Sequence, residues 1–110
     1  MKELRRVKVT VPSRDMKSRS NIRLLNEMEY VNGKLMVNVW GQDVILIVNP
    51  DNGYVEQIIQ LSHVSKLAYS NITPSRDSVL NGIAFEPESK RLFISGKLWA
   101  NVYEVSMPDI

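Results

Sequence analysis

The sequence repeats a strand-forming pattern after about half of its length. Residues 25–30 (LNEMEY) correspond to residues 80–85 (LNGIAF), 55 positions later. After a turn, residues 34–37 (KLMV) correspond to residues 91–94 (RLFI) at an offset of 57, so the second turn is two residues longer. A unit of a few strands that recurs at such a period is typical of β-propeller blades. The repeat therefore predicts an all-β fold whose blades are four-stranded antiparallel meanders.

Turn residues and apolar runs divide the first repeat into four strands. The dipeptide Asn32-Gly33 favours the positive φ angles of a type I′ turn and therefore predicts a tight hairpin. The continuous apolar run Val44–Val48 is typical of a strand that is buried on both faces. The four predicted strands cover residues 28–31, 34–37, 44–48 and 54–61.

Taken together, these strands predict one incomplete propeller domain over residues 1–110, with about two blades, too few to close a ring. Residues 1–11 are expected to be the last strand of a missing blade, since polar and apolar residues alternate up to Pro12. Residues 24–61 are expected to form a full blade. Residues 80–105 are expected to form a partial last blade of three strands.

A long connection, residues 62–78, separates the two repeats. We predict a short helical turn near residues 64–69 within it. Connections of this length inside a compact domain are often functional. The connection also contains Asn71-Ile72-Thr73, an N-glycosylation pattern that is meaningful only in a eukaryotic secretory compartment.

Composition excludes several kinds of site and partner. The chain is 44% hydrophobic and 24% charged, as is ordinary for a globular domain. No window approaches the roughly 18 apolar residues of a membrane helix, so we expect no membrane partner. With no cysteine and only one histidine, His63, the sequence cannot supply a cysteine or multi-histidine metal site. We therefore expect no metal and no cofactor.

Basic residues are concentrated in the first 25 positions. Eight Lys and Arg side chains there accompany only Glu3 and Asp15, and the remainder of the chain is net negative. Such a segment can bind phosphate backbones. No aromatic residue is interleaved with these charges to stack on bases. We interpret the segment as a solvated surface and expect no nucleic-acid partner, with a basic-armed nucleic-acid binder as the alternative.

Several motifs occur along the chain in the order in which one enzyme family carries them. They are LNEMEYVNGKL at 25–35 with NVW at 38–40, then Asp43, Ile45, Asn49-Pro50 and Gly53, then VLNGIA at 79–84 and GKLW at 96–99. They resemble segments of the glutaminyl-peptide cyclotransferases (glutamine cyclotransferases) of the plant and bacterial five-bladed β-propeller type. The resemblance covers residues from about 3 to 105 and corresponds to the C-terminal part of that family.

The resemblance implies an activity, a substrate class and three site residues. The family converts an N-terminal glutamine of peptides or proteins to pyroglutamate, releasing ammonia without a catalytic metal. By resemblance, Asn26 binds the substrate amide, Trp40 forms a wall of the substrate pocket, and Lys97 is a catalytic residue near the family's catalytic carboxylate. The repeat places Trp40 and Lys97 at equivalent positions, just past the second strand of each blade.

Each of these residues also has a structural interpretation. Asn26 would then bond only neighbouring backbone, Trp40 would belong to the core between blades, and Lys97 would be a solvated loop charge. Trp99 and Asn81 are interpreted mainly as structural, although Asn81 occupies the position equivalent to Asn26.

The sequence also departs from the family pattern. The family's acid/base is a glutamate in its N-terminal half, and neither Glu27 nor Glu29 matches it. Met36 stands where an aromatic residue is common. We therefore expect a fragment that is inactive alone; the alternative is a non-catalytic propeller remnant that acts as a protein-interaction module. The family is commonly secreted or periplasmic, but the chain shows no signal pattern, so no compartment is assigned.

We expect the isolated chain to self-associate through open blade edges, because unpaired strand edges are templates for pairing with another chain. One specific form pairs residues 2–11 of one copy with the open edge of another. Light scattering across a concentration series should show species larger than the monomer. A sharp monomeric peak combined with cooperative unfolding would contradict this expectation.

Overall fold

The structure, a computed structural model, describes residues 1–70, 72 and 76–110. The glycosylation pattern at 71–73 thus lies outside the described residues, apart from Ile72. The elements in chain order are β1 (Thr10–Pro12), β2 (Arg19–Asn21), β3 (Leu25–Val31), β4 (Lys34–Val39), β5 (Val44–Val48), β6 (Val55–Gln60), α1 (Ser62–Tyr69), β7 (Leu80–Glu86), β8 (Arg91–Gly96) and β9 (Tyr103–Val105). In this described part of the chain, no helix is long and apolar enough to cross a bilayer.

The strands of the described residues form three antiparallel sheets, each connected in chain order. A two-stranded sheet contains β1 and β2, a four-stranded meander contains β3 to β6, and a three-stranded meander contains β7 to β9. The predicted all-β fold of a partial propeller, built from antiparallel meanders, is confirmed. The short helix α1 forms the start of the connection between the two meanders.

The Asn-Gly hairpin of the first meander is confirmed. Asn32 and Gly33 have φ angles of 52° and 82°, both in the left-handed region that a type I′ turn requires. Strands β3 and β4 begin their pairing directly at this turn, with Val31 opposite Lys34. The turn therefore fixes which face of the hairpin each following side chain occupies.

The central strands β4 and β5 of the four-stranded meander are buried on both faces. On one face Met36, Ile45 and Ile47 pack with Leu80, Leu92 and Ile94 of the second meander, and all six side chains are at most 2% exposed. On the other face Val37, Val39, Leu46 and Val48 are packed by Val9 and Ile22 from the N-terminal segment. Strand β5 is consequently covered on both sides, which explains its uninterrupted apolar sequence.

The N-terminal segment differs from the strand expected from its alternating pattern. Only Thr10–Pro12 is a strand, and it pairs with Arg19–Asn21. The turn between β5 and β6 contacts this segment instead, through both a side chain and the backbone. The Arg5 guanidinium donates to the Pro50 carbonyl over 2.8 Å, and the Thr10 amide donates to the Gly53 carbonyl over 3.0 Å. Contact with a turn thus replaces regular pairing there.

Candidate functional site

The two meanders end their second strands with the same backbone bond. The Trp40 amide donates to the carbonyl of Leu24 over 2.8 Å, and the Lys97 amide donates to the carbonyl of Val79 over 2.9 Å. Leu24 and Val79 immediately precede the first strand of their meanders. Trp40 and Lys97 are therefore equivalent in three dimensions as well as in sequence.

Each of these residues is the second residue of a tight turn, and the two turns have the same shape. In the first meander the Gln42 amide donates to the Val39 carbonyl over 3.1 Å. In the second, the Trp99 amide donates to the Gly96 carbonyl over 3.2 Å. The residue after Trp40 is Gly41 with φ of 80°, and the residue after Lys97 is Leu98 with φ of 64°. A positive φ at the third position of the turn is the mark of type II geometry, which favours glycine. We call these the Trp40 turn (39–42) and the Lys97 turn (96–99).

The first strands of both meanders carry a bulge beside these turns. The register of β3 shifts between Leu25 and Met28, and that of β7 shifts between Leu80 and Ile83. Asn26 lies within the first bulge and is exposed. Bulges re-aim side chains at sheet ends, and they are over-represented next to active sites.

A hydrogen bond between the meanders shows that both turns lie at the same end of the structure. The Gly82 amide, within the β7 bulge, donates to Oδ1 of Asn38 over 2.9 Å. Asn38 lies two positions before Trp40, and Gly82 lies one position after Asn81 in the bulge opposite the end of β8. The end of β4 is therefore adjacent to the start of β7. The Lys97 turn is bonded to the same place through the Val79 carbonyl.

Helix α1 contacts both turn regions. Near the Trp40 turn, the Ser65 hydroxyl donates to the Asp43 carboxylate over 2.8 Å. At the other end of the helix, the Tyr69 ring meets the Trp99 ring edge to face, with centroids 6.2 Å apart. Burial raises the pKa of Tyr69, and the negative charge of Asp43 raises it further. The helix thus braces the two turns against each other.

Trp99 holds the Lys97 turn in place. Its indole N–H donates to the Ser78 carbonyl over 3.2 Å, and its ring also meets Tyr103 edge to face at 5.9 Å. A Cβ on Gly96 would lie 2.1 to 2.3 Å from three atoms of this ring. The indole therefore rests directly on the glycine backbone, which agrees with the structural interpretation of Trp99.

The structure brings the three predicted site residues to one end of the molecule but does not join their side chains. Asn26 and Lys97 are exposed, and Trp40 is 41% exposed. Within the described residues, no hydrogen bond links any two of these side chains, and the Lys97 ammonium has no ion pair. Trp40 borders a groove of about 530 Å³ beside residues 21–24, and neither Asn26 nor Lys97 lines that groove.

Sequence reasoning missed Asn38 and Gly82, which connect the meanders. The available signal was an asparagine inside an otherwise apolar strand, because a buried amide requires a partner. Nothing in the sequence identified that partner as a backbone amide 44 residues away. In the described ranges, no group of three or more His, Cys, Asp or Glu side chains is arranged to hold a metal ion.

Comparisons with known proteins agree on one family. A family model described as glutamine cyclotransferase matches residues 1–107. The chain is similar to a glutaminyl-peptide cyclotransferase of Arabidopsis thaliana, with 38% identity over 86 residues, covering 78% of this chain and 27% of that protein. It is also similar to the crystal structure of Myxococcus xanthus glutaminyl cyclase, with a TM-score of 0.81 and 34% identity, covering 91% of this chain and 40% of that one. The chain thus spans well under half the length of these relatives.

Gly96 lies so close to the Trp99 indole that a side chain there should be destabilising. Gly96→Ala should lower the free energy of unfolding by about 1–3 kcal/mol, because the added methyl group displaces a packed ring. Urea unfolding of the single variants and of the double variant with Trp99→Ala measures the coupling. In the Trp99→Ala background the penalty of Gly96→Ala should nearly vanish. An undiminished penalty there would contradict the proposed contact.

Proposed function

Because this chain belongs to the glutamine cyclotransferase family, we propose that it forms part of an enzyme that cyclises N-terminal glutamine to pyroglutamate. In this reaction the α-amine nitrogen attacks the side-chain amide carbon, and the bond from that carbon to the amide nitrogen breaks. The amine loses a proton and the leaving group gains one, so ammonia is released and no redox step occurs.

The reaction places three demands on a pocket. The substrate must be held folded, with its amine near the amide carbon. The amide oxygen gains negative charge and needs hydrogen-bond donors or a cation. A proton must be carried from the attacking amine to the departing ammonia.

We assign the first two demands to residues at the strand ends. Asn26 binds the substrate amide, Trp40 provides an apolar wall, and the Lys97 ammonium stabilises negative charge near the reacting amide. The observation that carries this assignment is the matching pair of turns, since Trp40 and Lys97 are their second residues and both turns lie at one end of the sheets. Their exposure leaves them accessible to a peptide terminus.

The third demand is not assigned to a residue of this chain. By the family pattern the acid/base is a glutamate, and neither Glu27 nor Glu29 matches its position. We therefore propose that the 110-residue chain binds glutamine termini weakly and does not accelerate their cyclisation by itself.

Exposed apolar side chains favour a second candidate function, that of a protein-interaction module. Leu24 is 65% exposed and Ile58 is 53% exposed, and both border the groove beside Trp40. The same exposure, together with the outer edge of β9, supports self-association of the chain.

Peptide binding can be tested through Trp40. The chain contains two tryptophans, so in a Trp99→Phe variant all indole emission comes from Trp40. A peptide that begins with glutamine should shift this emission to shorter wavelength and reach saturation, because the pocket removes the indole from water. The same peptide beginning with glutamate should bind more weakly, since it lacks the amide that Asn26 recognises.

Substitutions identify the contributing side chains. Asn26→Ala and Lys97→Ala should each weaken binding by about tenfold, equivalent to about 1.4 kcal/mol, whereas Lys90→Ala, at the opposite end of the second meander, should leave it unchanged. Mass spectrometry of the same samples should show ammonia loss at the spontaneous rate. If the emission of a folded chain does not respond to the glutamine peptide, the site assignment is refuted. Accelerated loss that Lys97→Ala abolishes would refute the proposed inactivity.

A further inference from the structure

Asn38 is a buried polar residue that the proposed reaction does not use. It lies in β4 between apolar neighbours and has no solvent-exposed surface. Removing an amide from water is unfavourable unless it is hydrogen-bonded. At the junction of the two meanders, the Asn38 amide therefore needs a hydrogen-bond partner inside the protein.

The partner of Asn38 is a strand bulge of the other meander. Its Oδ1 accepts the Gly82 amide over 2.9 Å. Gly82 has φ of 137°, and a Cβ there would lie 2.4 Å from the Ser95 hydroxyl. Only glycine fits this backbone conformation, which turns the amide towards Asn38. The bulge and the asparagine are thus matched to each other.

This hydrogen bond lies between the two candidate-site turns. On one side, Asn38 precedes Trp40 by two positions on the same strand. On the other side, the β7 bulge lies opposite the end of β8, where Leu80 pairs with Gly96, the residue before Lys97. A displacement of the bulge relative to β4 would therefore move the Lys97 turn relative to the Trp40 turn.

Among the described residues, the second meander has no such connection at the equivalent position. Ser95 corresponds to Asn38, and its hydroxyl bonds within its own sheet, donating to the Asn81 carbonyl over 3.4 Å. Ser95 therefore provides a matched control for the loss of a polar side chain at the same place in a blade.

Stability alone does not account for the amide of Asn38. Its Nδ2 is buried without a hydrogen-bond partner among the described residues, as is Oδ1 of the neighbouring Asn81. Unpaired buried polar atoms oppose folding. Oδ1 fixes the position of the Gly82 amide. An apolar side chain of similar size could not do this.

We propose that Asn38 is a positioning residue, whose hydrogen bond to the Gly82 amide sets the separation and orientation of the Trp40 and Lys97 turns. Its importance for a glutamine pocket rests on the proposed function, but the positioning itself does not. A misplacement of about 1 Å can cost a reaction about a hundredfold in rate, so a constraint of this kind matters for catalysis.

The positioning can be measured without substrate. The chain has no cysteine, so two cysteine substitutions introduce two spin labels without background labelling. They are Gln42→Cys at the end of the Trp40 turn and Ala100→Cys directly after the Lys97 turn, and both positions are exposed. Electron paramagnetic resonance then gives the distribution of distances between the turns. Asn38→Leu should broaden this distribution or shift its mean by more than about 1 Å. Asn38→Asp, which retains an acceptor for Gly82, and Ser95→Ala should preserve it.

An unchanged distribution in folded Asn38→Leu would overturn the inference, as would an equal change in Ser95→Ala. If Asn38→Leu does not fold, Asn38→Ser takes its place, because it shortens the side chain beyond reach of Gly82 while keeping a hydroxyl. Asn38→Ser should then change the distance distribution as expected for Asn38→Leu, and an unchanged distribution in folded Asn38→Ser would overturn the inference.

A second measurement connects positioning to the pocket. Asn38→Leu should weaken the response of Trp40 to the glutamine peptide by about tenfold, while Ser95→Ala should not. An altered distance distribution with unchanged peptide affinity would overturn the role in the pocket. If the unsubstituted chain shows no response to the peptide, the proposed function fails, and the distance distributions still decide whether Asn38 positions the turns.

Discussion

The structure depends on the burial of one apolar face of each meander against the other. Met36, Ile45 and Ile47 from the first meander meet Leu92 and Ile94 from the second, with almost no exposed surface. Burying each such side chain contributes about 1.5–3 kcal/mol. The opposite face of the first meander is covered by Val9 and Ile22 of the N-terminal segment, so the contact between the two meanders is the one that joins them. Blade packing is therefore what brings the strand ends together.

Apolar packing alone does not specify how the strand ends are aligned, because it is not directional. The Asn38–Gly82 hydrogen bond and helix α1 provide directional contacts at the end of the molecule where the candidate residues lie. Trp99 adds a third contact by lying on Gly96 and meeting α1 through Tyr69. The candidate site is thus supported by groups that do not themselves face a substrate.

Local patterns predicted the elements, and long-range contacts account for what they missed. The Asn-Gly hairpin and the doubly buried β5 were predictable because each depends on a few adjacent residues. The repeat also predicted that Trp40 and Lys97 are equivalent. The N-terminal strand was predicted too long, since its alternation carries no information about Arg5 binding the Pro50 carbonyl. For the same reason, no local signal could pair Asn38 with a distant bulge.

If two equivalent strand-end turns act on one glutamine terminus, both must respond to it together. Nuclear magnetic resonance of the nitrogen-labelled chain during titration with a glutamine-initiated peptide tests this directly. We expect the side-chain amide of Asn26, the indole N–H of Trp40 and the backbone amide of Lys97 to shift together with one dissociation constant, while the Trp99 indole changes little. Shifts confined to one turn, or different dissociation constants for the two turns, would show that the turns do not act on one terminus together.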